Sequence, residues 1–158
     1  MKELNKTDVI NYIEKKLVSG LDDLRKSYEQ ARHTMIESPG AMQSRYDTMG
    51  KEAAWLADGL AGRISDAEKD IHALRDLQVS GNGESIHICS LFTLANTKTG
   101  SKDTYFILPA GGGEEIDYDG YNILILTPQS PLSQSVLGKK KGDKAEFRNI
   151  EYIIEQVL

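Results

Sequence analysis

In the first half of the chain, apolar residues recur at helical spacing along a single line. Ile10, Ile13, Leu17, Leu21, Leu24, Tyr28, Ala31 and Met35 follow one another in steps of three and four. That is close to the 3.5-residue repeat that keeps one seam against a partner helix. A second line runs through Tyr46, Met49, Ala53, Leu56, Leu60, Ile64, Ala67, Ile71 and Leu74. Between the lines, Ser38, Pro39 and Gly40 mark a turn. Thr7 is the expected N-cap of the first helix, with Asp8 favourably placed in its first turn. Two seams joined by a short turn predict an antiparallel coiled-coil hairpin over residues 1–79. A compact bundle, or a dimer through the same seam, is the alternative use of such helices. Gly20, Gly50, Gly59 and Gly62 interrupt the helices and suit either a close backbone approach or a local bend.

The period then changes. Residues 80–83, S-G-N-G, read as a linker, and residues 84–158 as a second domain. E-S-I-H-I-C-S-L-F-T-L alternates with period two, which puts Ile86, Ile88, Phe92 and Leu94 on one face and makes Cys89 a small packing residue within a strand. A polar turn, N-T-K-T-G-S-K, separates it from a partner strand, D-T-Y-F-I-L. Y-N-I-L-I-L-T is apolar on both faces, as a covered strand is, and K-A-E-F-R and I-E-Y-I-I-E-Q-V supply two more. Ser130, Pro131 and Gly138 read as the cap, first residue and stop of a short helix. Five strands around one helix predict a small α+β domain.

Composition narrows the function classes. The 158 residues carry a net charge of −5, which argues against a general nucleic-acid surface, because phosphate contacts need concentrated Lys and Arg. The single cysteine excludes an internal disulfide and fits a reducing compartment. No apolar signal region opens the sequence and no apolar run approaches membrane-spanning length, so the expectation is a soluble cytoplasmic protein.

Several motifs resemble those of the Gre family of bacterial transcript-cleavage factors. They are the T-K-T-G turn, Ser130-Pro131 opening the helix, and L-G-K-x-x-G-D from Leu137 to Asp143. In the first half, Ala31-Arg32 before the turn, Tyr46 after it and the Lys51-Glu52 pair fit the same pattern. The resemblance implies an N-terminal coiled coil followed by an immunophilin-like antiparallel sheet domain with one short helix. It also implies a partner, bacterial RNA polymerase, on which the small domain docks while the coiled coil enters the secondary channel as a monomer. Ser130, Pro131, Leu132 and Lys139 are then the docking candidates. Family members bring tip carboxylates to the polymerase active site, where they help hold Mg²⁺ and a water near the RNA 3′ end, and the polymerase cuts its own transcript.

The tip departs from that pattern. Counting back from Tyr46, the two acidic places hold Pro39 and Met42. Glu37 and Asp47 flank the turn and are the local acids that could substitute. Gln43, Ser44 and Arg45 offer polar groups that could contact the polymerase, its nucleotide or an RNA 3′ end, with Pro39 and Met42 as further tip contacts. The expectation is therefore a channel-entering regulator that is not itself an enzyme, carries no cofactor of its own, and at most stimulates the polymerase's Mg²⁺-dependent cleavage. A cleavage factor using Glu37 and Asp47 is one alternative. A coiled-coil interaction module without polymerase is the other.

Other signals point away from chemistry. Gly111 to Gly113 lack the lysine and hydroxyl of a phosphate loop and read as an inter-strand loop. His33, His72 and His87 have neither zinc spacing nor cysteine partners. Many of the aromatic residues of the second half sit at core-like strand positions, and an immunophilin-like fold does not by itself confer isomerase activity.

Overall fold

Asn5 opens the first helix: its side-chain oxygen accepts a hydrogen bond from the Thr7 backbone N–H at 2.9 Å. The expected cap, Thr7, lies already inside the helix, because Asn5 provides the same acceptor two residues earlier. The structure, a computed structural model, describes residues 4–38, 48–79 and 83–158. Its elements are helices α1 (Lys6–Glu37) and α2 (Met49–Arg75), strands β1 (Leu91–Asn96), β2 (Lys102–Ile107), β3 (Glu115–Tyr118) and β4 (Tyr121–Leu126), helix α3 (Pro131–Val136), and strands β5 (Lys144–Phe147) and β6 (Ile150–Val157). By packing, the chain divides into two compact units, Lys15–His72 and the combination of Met1–Glu14 with Ala73–Leu158. The sequence had suggested a division at residues 80–83.

In the unit Lys15–His72 the two helices pair through small residues. Ala31, Ala57 and Leu60 are buried together, with Leu24 and Tyr28 against them. Arg25 Nη2 donates to Glu68 Oε1 at 2.8 Å. Numbers that rise on α1 meet numbers that fall on α2, so the arms are antiparallel. Ala57 holds the seam position that the apolar pattern assigned to Leu56, which points into water. Alanine on both arms lets the helices approach closely, since interhelical distance follows side-chain size at the contact. Tyr46 lies outside the described residues. Gly20, Gly59 and Gly62 have no described neighbour within 4 Å of where a Cβ would stand, so they do not serve a close approach.

In the other unit the sheet has six strands, in the order β3-β4-β2-β1-β6-β5. It is mixed rather than wholly antiparallel, because β2 and β4 run parallel, Thr104 opposite Ile123 through Ile107 opposite Leu126. After β2 the chain passes to the outer edge and returns through β3, which pairs only with β4. Gly111 (φ 72°) and Gly113 (φ 89°) shape that passage, and Gly113 N–H donates to the Ile125 carbonyl at 2.8 Å. The expected loop is thus a hydrogen-bonded turn leading into β3, a strand beyond the five that the sequence predicts.

Strand β1 begins later than its alternation predicts. Ile86 is buried but Ile88 faces water. Cys89 is not a strand residue: it sits in a turn at φ 71°, buried, and donates its backbone N–H to the Ile107 carbonyl at 2.9 Å. Burial pushes its thiol pKa up, with the Lys6 charge opposing, so the reactive thiolate is disfavoured. Helix α3 packs on the sheet through Leu132 and Val136, in a core with Phe92, Leu94, Ile107 and Ile154. The start of α1 belongs to the same unit: the Tyr12 and Tyr118 rings lie 5.4 Å apart, and Arg75 Nε donates to Glu14 Oε1 at 2.6 Å.

Candidate functional site

The motif that stands out in the sequence folds into one corner of the sheet unit. Ser130 adopts an extended conformation ahead of α3, and its Oγ accepts from the Ser133 N–H at 3.2 Å while donating to Ser133 Oγ at 2.8 Å. Pro131 occupies the first turn, where its missing N–H costs nothing. The Gln134 amide donates to the Pro128 carbonyl at 2.7 Å and fixes the approach to the helix. Ser130 and Pro131 remain accessible. Leu132, expected at the surface as a docking contact, is buried in the core, because the second helical position faces the sheet.

Each residue of L-G-K-x-x-G-D that repeats in the motif has a structural task. Gly138 (φ 79°) and Gly142 (φ 90°) take left-handed conformations that a side chain would strain. Gly138 N–H donates to the Ile86 carbonyl at 2.7 Å, and Ile86 N–H to the Lys139 carbonyl at 2.8 Å, so the segment before β1 is tied to the end of α3. Asp143 Oδ2 accepts from Lys140 N–H at 2.8 Å and closes the turn. Lys139 Nζ donates to the Lys144 carbonyl at 2.8 Å. The lysine expected to dock is thereby committed to the fold. The exposed Lys140 and Lys141 are the cations the corner presents instead.

The T-K-T-G turn is equally well determined. Asn96 Oδ1 accepts from both Lys98 and Thr99 N–H, at 2.9 and 3.1 Å, and Gly100 takes φ 71°. Phe92 and Tyr105 stack at 5.6 Å, and Phe147 and Tyr152 pack against the same core. Phe92 is buried, Tyr105, Phe147 and Tyr152 are half-buried, and Tyr105 and Tyr121 line a surface cleft with Thr93, Lys102 and Glu155. Tyr105 is half-buried, and burial, then Asp103 and Tyr152, push its pKa up to about 12.

At the end of the hairpin, Glu37 is exposed, with Oε2 3.2 Å from His33 Nδ1 one helical turn back. Pro39, Met42, Gln43, Ser44, Arg45 and Asp47 lie outside the described residues. Among the described residues, no three His, Cys, Asp or Glu side chains converge as metal ligands would. Mg²⁺ takes about six oxygens and is held by more than a lone carboxylate. Glu37 is the one tip candidate acid among the described residues, and by itself it does not make such a site.

No family model matches the sequence, and no curated protein matches it significantly. Among solved structures, GreA factor homolog 1 (Gfh1) of Thermus thermophilus is similar at 18% identity and a TM-score of 0.38, over 92% of this chain and 94% of that one. Gfh1 of Thermus aquaticus is similar at 20% identity and a TM-score of 0.36, over 90% and 92%. The transcription elongation factor GreA/GreB from Nitrosomonas europaea is similar at 13% identity and a TM-score of 0.36, over 58% and 78%. These are factors of the family that the motifs resemble. Among the described residues, no helix is long and apolar enough to cross a membrane.

Proposed function

We propose that this chain is a Gre-like regulator of bacterial RNA polymerase that enters the secondary channel without efficient transcript cleavage. The observation that carries the reading is the α3 corner. The motif is not a chance string: its glycines, aspartate and capping serine each perform a distinct backbone task there. The corner leaves Ser130, Pro131, Lys140 and Lys141 accessible to a partner. The absence of efficient cleavage follows from the hairpin, where Pro39 and Met42 stand in the places of the family's acids and Glu37 is paired with His33. Occupancy of the channel would then act by altering pausing, nucleotide entry or access of true cleavage factors.

The test is competition with a known Gre factor for core RNA polymerase, followed by an RNA-cleavage assay on backtracked complexes. Competitive binding with no cleavage above the polymerase's own rate is the expected result. Failure to bind a cognate polymerase would refute the proposal. If cleavage is stimulated and Glu37→Ala or Asp47→Ala abolishes it, the chain is a cleavage factor with relocated acids.

A further inference from the structure

Among the described residues of Lys15–His72, the large apolar side chains most open to water are Trp55 (72% exposed), Ile36 (68%), Met49 (63%), Leu56 (57%) and Met35 (40%). All five fall in the last turn of α1 or the first two turns of α2, on either side of the inter-helical turn. The remainder of both arms follows the ordinary rule, with apolar groups in the seam and polar groups outside.

These side chains do not form one stripe. At about 100° per residue, Trp55 lies about 160° around α2 from the seam of Ala53, Ala57 and Leu60, and Leu56 lies about 60° from it. Ile36 lies about 110° around α1 from the line of Leu24, Tyr28 and Ala31. Met35 and Met49 stay near the extended seam. The end of the hairpin thus carries apolar groups on its back and flanks as well as along its seam.

Area separates the possible occupants. If a large side chain offers about 200 Å², the five together leave roughly 600 Å² in water, spread around the hairpin rather than gathered in one patch. A second copy laid along the hairpin would meet one side of it and cover one or two of the five. More than half of that apolar area would then stay in water. Covering Trp55, Leu56 and Ile36 together requires a surface that closes around the hairpin.

We propose that Ile36, Met49, Trp55 and Leu56 form an apolar collar that seats inside a concave protein wall bearing apolar side chains. The inference rests on the polymerase reading, under which that wall lines the secondary channel. The collar grips by excluding water.

Hydroxyl-radical footprinting reads the collar directly, because Trp and Met side chains oxidise readily when exposed. The intact chain is oxidised alone and in its complex with core RNA polymerase, the complex being isolated by co-migration beforehand. Protection of Trp55 together with Met49 is the expected result. A co-migrating complex in which Trp55 oxidises as fast as in the free chain overturns the collar and leaves the polymerase reading intact. If no complex forms, both fall. Protection of Met35 and Met49 alone, in a chain that sediments as a dimer, assigns the surface to self-association and overturns the proposal. A triple variant, Ile36→Gln, Trp55→Gln and Leu56→Gln, changes exposed positions only. With unchanged helical circular dichroism, it should bind polymerase at least about tenfold more weakly, as loss of a central apolar anchor does.

Discussion

Ser130 and Ser133 hold each other at the start of α3, and the pair is sensitive to a single atom. Ser130→Ala removes the acceptor for Ser133 N–H and the donor to a buried Ser133 Oγ. The expected loss is about 1–2 kcal/mol, read from the urea midpoint, with Ser130→Asp retaining most of the capping share. Tyr105 makes a second prediction at this scale. Its folded pKa of about 12 stands above the ordinary 10, so burial favours the protonated phenol. That contribution is fully present below pH 10 and is lost as pH rises through about 12. Urea midpoints measured from pH 9 to 12 should fall across this window, and Tyr105→Phe should flatten the decline. The capping serine, the proline and Gly138 were legible in the sequence because capping is a local matter. The burial of Leu132 was not, since a six-residue helix is too short to display a period that reveals its buried side.

At the scale of elements, the two helices were legible and one seam position was not. Leu56 and Ala57 stand at equally good helical distances from Ala53 and Leu60, so spacing alone cannot choose between them, and hydrophobicity favours the wrong one. The choice is settled by the facing Ala31. Leu60→Ala should therefore cost about 2–3 kcal/mol in thermal unfolding followed by circular dichroism. Leu56→Ala should stay within about 0.5 kcal/mol of the parent. Equal costs would refute the seam. Strand β3 escaped because the glycines before it resemble a loop, although Asp119-Gly120 between Tyr118 and Tyr121 is a strong two-residue hairpin signal. The parallel β2–β4 pair was beyond reach, since relative strand direction depends on the route between strands rather than on alternation within them.

For the whole molecule, the division of packing cuts across the order of the chain. Residues 1–14 belong to the same unit as the sheet, tied there by Tyr12 against Tyr118 and Glu14 against Arg75. No pattern within either half could reveal this, because the apolar residues at the start of α1 read equally well as more seam. Val9, Ile10 and Ile13 are buried in the full chain. A chain shortened to residues 15–158 should lose hydrogen-exchange protection in the sheet strands; unchanged protection there would remove the first helix from that unit.

This shared unit bears on how the protein is made. A ribosome releases residues 1–14 first, and they must wait through the synthesis of both helical arms before their partners emerge. The sheet unit therefore cannot be completed early, and its apolar N-terminal segment spends translation without the surface that later covers it. A nascent-chain pulse-proteolysis series should find the first segment cleavable until β3, which carries Tyr118, has cleared the exit tunnel.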